Sequence, residues 1–137
     1  KVTTIDSAAS KEERRKLTIK EVNRIIQNTD TQKKPIKRLN SNLTIEVLNG
    51  CGIKGVARKI AKRIKEKGLK VSRYGNASSY EYQNTLIVDW KGEVNASIAL
   101  AQELSIDPSK IIVYDRPEKP LDITIVVGHD WKGIGEE

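Results

Sequence analysis

The chain has 137 residues, of which 37% are hydrophobic, and its net charge is +7. This length suits one domain with a modest extra segment, and no run approaches the ~18 apolar residues of a membrane span. A single cysteine excludes an intramolecular disulfide. The basic charge is concentrated at one end, because residues 1–41 hold eleven Lys/Arg and five Asp/Glu.

Residues 1–41 are predicted to form an N-terminal helix and a basic linker. Ser10 and Glu13 match a capping box, which predicts a helix over residues 11–28. Residues 28–42 are polar and include a proline, as is typical of a linker. The stretch KKPIKR within the linker suits contact with anionic lipids or with a DNA backbone.

Residues 42–131 are predicted to form the globular domain, and residues 132–137 a tail. Strands are predicted in LTIEVLN, LKVSRYG, TLIVDW, KIIVYD and DITIVVG, where apolar residues alternate or form short runs. Helices are predicted in KGVARKIAKRIKEKG and GEVNASIALAQELSID, where apolar residues recur at helical spacing. The last strand is almost entirely apolar, so we expect it to be central in the sheet.

The element order β-α-β-β-α-β-β predicts an α/β (α+β) fold. Only about nine residues link the second and third strands, whereas a parallel crossover needs a dozen or more. We therefore expect these two strands to form an antiparallel pair or to be neighbours across a loop. The predicted architecture is a mixed sheet with two helices on one face, a ferredoxin-like split βαβ variant with one additional strand.

The sequence LNGCGIKG, residues 48–55, raises the question of a coenzyme site. Its glycines have the G-x-G-x-x-G spacing between a strand and a helix, at Gly50, Gly52 and Gly55. A dinucleotide site also requires a βαβαβ continuation and an acidic residue about 20 positions on, where this chain has Arg73. We favour a tight structural turn made by Asn49 and the three glycines, with no cofactor. Binding of a phosphate or carboxylate at the helix N-terminus stays open.

Two sets of side chains are candidates for binding. The first predicted helix carries cations at i, i+4, i+8 and i+11, which we call the basic ridge: Lys54, Arg58, Lys62 and Lys65. A second basic row follows Lys59, Arg63 and Lys67. These residues are either a solvated face or a patch for a polyanion such as teichoic acid, a lipid head group or nucleic acid.

In the loop NASSYEYQN, Tyr80 and Tyr82 suit sugar binding, unless one of them packs inward.

Catalytic and metal chemistry are not predicted. Asp89, Asp122 and Asp130 lie at strand ends, but nothing in the sequence brings two of them together as a glycosidase requires. His129 and Cys51 lack metal-ligand spacing. Cys51 is interpreted as an inert turn residue or, beside a helix N-terminus, as a reactive thiol. Trp90 and Trp131 are expected to be structural.

The segment from Leu43 to Asp130 resembles the C-terminal domain of LytR/CpsA/Psr cell-wall proteins. The matching landmarks are Asn-Gly-x-Gly, then Gly-x-Ala at the head of a helix that ends in Gly-apolar-x-Val, and a closing Asp-apolar-Thr-apolar-Val-apolar-Gly-x-Asp. In this chain they fall on Asn49, Gly50, Gly52, Gly55, Ala57, Gly68, Val71, Asp122, Thr124, Val126, Gly128 and Asp130. Cys51 departs from the Thr or other small residue expected there.

The resemblance implies a bacterial envelope protein located outside the cytoplasm, in the periplasm or on the outer face of the membrane. In larger members this domain follows a catalytic domain that transfers glycopolymers. The 42 residues ahead of Leu43 are too few to contain that catalytic domain, so the transferase activity is not carried over. Short members have a membrane anchor, a linker and this domain, so we expect an anchor ahead of Lys1.

Two functions from different classes follow. The first is a non-catalytic envelope module that binds cell-wall glycan, an anionic wall polymer or a wall-biosynthesis protein, with the N-terminal arm at the membrane surface. The alternative is a small nucleotide- or nucleic-acid-binding protein that uses the glycine turn and the basic helix. Nucleic acid is disfavoured because the few aromatic residues are not interleaved with the basic ridge.

Overall fold

The computed structural model describes residues 14–16, 18–28, 43–114 and 116–134. Within these ranges the strands are β1 (Arg14–Lys16), β2 (Ile45–Asn49), β3 (Arg73–Asn76), β4 (Leu86–Asp89), β5 (Ile111–Tyr114) and β6 (Ile123–Val127). The helices are α1 (Ile19–Asn28), α2 (Val56–Glu66) and α3 (Val94–Glu103), with short 3-10 turns at Pro108–Lys110 and Trp131–Gly133. No helix in the described ranges is long and apolar enough to cross a membrane.

The strands form one mixed sheet in the order β1-β5-β4-β6-β2-β3. β6 lies inside the sheet, parallel to β2 and antiparallel to β4. All five of its residues are buried, as expected of an apolar strand with neighbours on both edges. The mixed α/β class and the central position of the last strand are therefore confirmed.

The strand order corrects the split βαβ prediction. β2 and β3, which α2 connects, are direct parallel neighbours, and so are β4 and β5, which α3 connects. A split βαβ would place another strand between each pair. β3 and β4 are neither paired nor adjacent, because β2 and β6 lie between them. The intervening loop instead passes over the carboxyl ends of β2 and β6, where the Tyr82 N–H donates to the Gly50 carbonyl at 3.1 Å and the His129 N–H donates to the Tyr82 carbonyl at 2.9 Å.

The N-terminal segment differs from the helix predicted over residues 11–28. Residues 14–16 form β1, which pairs antiparallel with β5, and α1 begins only at Ile19. The capping box that starts this helix is made by Thr18 and Glu21: the Glu21 N–H donates to Thr18 Oγ1 at 3.0 Å, and the Thr18 N–H donates to Glu21 Oε1 at 3.1 Å. Ser10, Glu13 and the linker residues 29–42 lie outside the described residues.

One face of the sheet is covered by α2 and α3, which confirms the prediction of two helices on one face. Ile60 and Ile64 of α2 and Ile98 of α3 are buried in a single apolar cluster with inward-facing residues of the strands. Val22 of α1 packs against the same cluster. Ile134, beyond the last strand, is also buried there, so the chain packs on the core after Trp131.

The other face carries a smaller cluster around Trp90. The Trp90 ring stacks on Tyr114 with centroids 4.8 Å apart, and its indole N–H donates to Thr124 Oγ1 at 2.8 Å. The Thr124 hydroxyl in turn donates to Glu46 Oε1 at 2.9 Å, and Arg73 pairs with the other oxygen of that carboxylate. A hydrogen-bonded row therefore crosses the sheet from β4 to β3, which satisfies the buried Glu46 carboxylate.

Candidate functional site

The turn between β2 and α2 is held by the Asn49 side chain. Asn49 is buried at the end of β2, and its Oδ1 accepts hydrogen bonds from the N–H groups of Cys51 (3.0 Å) and Gly52 (2.9 Å). Its Nδ2 donates to the Ile53 carbonyl at 2.8 Å. A pyrophosphate in a dinucleotide site binds to backbone N–H groups of such a turn. The amides of Cys51 and Gly52 are instead engaged by the protein itself.

Each glycine of the motif occupies a position that a side chain would disturb. A Cβ at Gly50 would lie 2.7 Å from Tyr82 Cδ2 and 2.9 Å from the Val127 carbonyl oxygen. Gly52 and Gly55 have φ values of +80° and +81°, in the left-handed region that favours glycine. The spacing that resembles a coenzyme fingerprint thus matches the backbone requirements of a strand-to-helix turn.

The four side chains of the basic ridge all lie on the surface. α2 buries its apolar stripe against the sheet, which leaves the opposite side to solvent, and all four ridge residues are exposed. Within the described ranges, no acidic side chain lies within ion-pair distance of any of them. Arg58, Lys62 and Lys65 lie within α2 and span ~10 Å at a helical rise of 1.5 Å per residue, and Lys54 lies in the turn just before the helix. Among the described residues, these four positive charges have no acidic partner.

The second basic row of α2 has a different role, because each member contacts another part of the fold. Lys59 Nζ lies 5.3 Å from the centroid of the Trp131 ring, and Arg63 Nη1 donates to the Ile134 carbonyl at 2.7 Å. Lys67 pairs with Glu103 of α3 at 3.5 Å. These contacts tie α2 to α3 and to the segment after β6. The structure therefore separates two rows that helical periodicity alone makes equivalent.

The two tyrosines of the β3–β4 loop are in different environments. Tyr82 is half-buried and packs in the cluster around Trp90, against Val126 and the Gly50 backbone. Tyr80 is 47% exposed, and its ring lies over Gly52, with ring carbons 3.1–3.2 Å from the position of a Cβ there. Tyr80 thus lies beside the turn that leads into the basic ridge, whereas Tyr82 supports the sheet.

The strand-end carboxylates are engaged in hydrogen bonds. Asp89 is buried, and its Oδ1 accepts from three successive N–H groups after β4, at 2.8–3.1 Å, while its Oδ2 accepts from Ser97 Oγ at 2.7 Å. Asp122 Oδ2 accepts from the N–H and the hydroxyl of Thr44, both at 2.8 Å. Asp130 Oδ1 accepts from the hydroxyl of Thr85 at 2.6 Å. These carboxylates fix backbone segments in place.

Asp89 occupies the same position at the end of β4 as Asn49 does at the end of β2, a correspondence that was not predicted from the sequence. Each is the last residue of its strand, and each side-chain oxygen accepts from the N–H groups two and three residues on. An Asn or Asp at a strand end, followed within three residues by glycine and then by a helix, is the pattern that could have revealed both.

Cys51 is buried in the first of these turns, between β2 and α2. The described residues contain no cluster able to hold a metal ion.

Residues 42–131 match the model of the LytR_C family, described as LytR cell envelope-related transcriptional attenuator. The chain belongs to this family. The LytR_C assignment confirms the resemblance seen in the sequence and makes this a cell-envelope domain. No curated protein matches the chain.

A solved structure with a similar fold comes from Mycobacterium marinum, the soluble domain of a conserved hypothetical secreted protein. The sequence identity is 17% and the TM-score 0.53. The alignment covers 71% of this chain and 66% of the other, just under two thirds of its length. At this identity the similarity shows the fold alone, and it supports the α/β architecture of the LytR_C domain.

Proposed function

We propose that this LytR_C domain is a non-catalytic envelope module that binds an anionic wall polymer through the basic ridge. The observation that carries the proposal is the contrast, on α2 and the residues at its two ends, between four cations without an acidic partner in the described residues and three cations engaged in the fold. Like charges three or four residues apart destabilise a helix by ~0.2–0.5 kcal/mol per pair. A bound polyanion would relieve this repulsion.

The cell-envelope family and the secreted neighbour support a location outside the cytoplasm. There the chain is held near the membrane by an anchor ahead of Lys1, and the basic N-terminal arm lies close to anionic lipids. Teichoic acids are phosphodiester polymers of that compartment, and their repeated charges match a linear array of cations. A binding role rather than catalysis is supported by the strand-end carboxylates, which are occupied by hydrogen bonds.

Nucleic acid is the competing polyanion, since the family description includes transcriptional attenuation. A phosphate backbone would also bind to the basic ridge. Binding of a nucleotide at the glycine turn is disfavoured, because Asn49 already engages the turn amides that a pyrophosphate would need. A neutral wall glycan or a wall protein would not require four unpaired cations in a row.

The test compares two variants with the same net charge. The ridge variant is K54Q/R58Q/K62Q/K65Q, and the control variant K70Q/K91Q/K110Q/K132Q neutralises four lysines in the turns around β3, α3, β5 and β6. Binding to purified teichoic acid, to peptidoglycan stripped of anionic polymer and to duplex DNA is measured by fluorescence anisotropy or pelleting. We expect the wild type and the control variant to bind teichoic acid, and the ridge variant to bind it at least tenfold more weakly.

Equal loss of affinity in the control variant would show that only net charge matters and would refute a ridge site. Tighter binding of DNA than of teichoic acid at equal phosphate concentration would favour the alternative function. Binding of stripped peptidoglycan by both variants would indicate a neutral glycan site elsewhere on the domain.

A further inference from the structure

We propose that Tyr80 is the specificity-determining residue of this surface, where it stacks on a sugar ring carried by the polymer that the basic ridge binds. This inference rests on the proposed function and adds the chemical class of the ligand, a phosphodiester polymer substituted with sugars. Tyr80 is the exposed member of the loop's tyrosine pair, and aromatic rings provide a flat apolar surface with a polar tip.

The backbone from Tyr80 to Tyr82 is held by hydrogen bonds to Gly50 and His129, and the Tyr80 ring packs on Gly52, so the ring is presented from a fixed position. The Tyr82 N–H donates to the Gly50 carbonyl at 3.1 Å, and the His129 N–H donates to the Tyr82 carbonyl at 2.9 Å. The His129 ring nitrogen Nε2 also forms a hydrogen bond with the Tyr80 carbonyl at 3.2 Å. Such pre-organisation reduces the entropy lost when a ligand binds.

Gly52 places the Tyr80 ring next to the start of the basic ridge. The ring packs directly on Gly52, where the absence of a Cβ permits the approach. Gly52 is followed by the exposed Ile53 and then by Lys54, the first ridge residue. Two residues span at most ~7 Å of extended chain, so a sugar on Tyr80 and a phosphate on Lys54 can belong to neighbouring parts of one polymer.

The test uses two forms of one polymer with equal charge: glucosylated poly(glycerol phosphate) and the same polymer after enzymatic removal of glucose. The wild type is expected to bind the glucosylated form about five- to tenfold more tightly, as burial of some 50 Å² of apolar surface would produce. Y80A should bind both forms with the affinity that the wild type has for the bare polymer. Y80F keeps the ring and should keep the preference.

The ridge variant separates this inference from the proposed function. If the ridge variant binds both polymers as the wild type does, the proposed function is wrong and the Tyr80 inference falls with it. If it weakens binding to both while Y80A leaves the preference for glucose unchanged, only the Tyr80 inference is overturned. Y80L keeps apolar packing on Gly52 without an aromatic face, so it replaces Y80A if that variant does not fold. A preference retained in Y80L would also overturn the inference.

Discussion

Replacement of Asn49 by alanine should destabilise the domain by about 2–4 kcal/mol, because three hydrogen bonds in the β2–α2 turn are lost. These bonds are 2.8–3.0 Å long and involve two backbone N–H groups and one carbonyl. Each contributes about 1 kcal/mol net, and removal of a buried side chain adds a cavity term. For a chain of this size, the melting temperature should fall by roughly 6–14 °C.

Urea unfolding followed by far-UV circular dichroism gives the free energy of unfolding by linear extrapolation. Asn95→Ala is the matched control, because Asn95 is exposed on α3 and alanine is the better helix former. The control should be neutral or slightly stabilising. If Asn49→Ala were within about 0.5 kcal/mol of the control, where surface substitutions usually fall, the glycines alone would hold the turn. Asn49 would then not be the residue that closes the turn to a coenzyme.

Three further predictions concern other parts of the chain. Gly128→Ala should strongly destabilise the domain, because a Cβ there would lie 2.5 Å from the carbonyl carbon of Asn84, whereas Gly133→Ala meets nothing within 4 Å; equal melting temperatures of the two variants would contradict this. Binding of teichoic acid to the basic ridge should weaken about 60-fold between 50 and 200 mM salt, from a log–log slope near −3 for four cations. A flat salt dependence would refute ionic binding. Asp107 caps the 3-10 turn Pro108–Lys110 by accepting a hydrogen bond from the Ser109 N–H at 2.9 Å. This bond lowers the pKa of Asp107 below its ordinary value of 3.8, so the cap stabilises the fold above that pH and is lost as the pH falls through the lowered pKa. Thermal melts of Asp107→Ala and the wild type should therefore differ at pH 7 and converge in acid, and a gap that persists in acid would argue against this.

Local sequence patterns were enough to predict the five strands and two helices of residues 42–131, and the face that both helices cover. They could not give the strand order. β6 inserts between β2 and β4 through pairings with partners 34 to 78 positions away in sequence, and these pairings have no local signal. No feature of the sequence indicated β1, since Arg14–Lys16 has no strand pattern and its conformation comes from pairing with β5.

The candidate site shows the same limit at the level of side chains. Helical spacing located the seven cations of α2 and its two ends but could not distinguish the two rows. The distinction depends on Trp131, Ile134 and Glu103, which the fold brings against one row only. Likewise, the loop sequence gave Tyr80 and Tyr82 equal standing, and the close approach of Tyr82 to Gly50 separates them.

The fold contains two βαβ units of similar plan, β2-α2-β3 and β4-α3-β5, which differ in their charges. In each unit a strand ends in an Asn or Asp whose side chain binds the following turn. After β4 this group is the carboxylate of Asp89, which places negative charge at the start of α3, a helix without Lys or Arg. After β2 it is the neutral carboxamide of Asn49, so the positive end of α2 and its basic ridge keep their charge uncompensated. Two units that meet the same backbone requirements thus differ in electrostatics, and this difference is why we propose the polyanion site on the α2 unit rather than on the α3 unit.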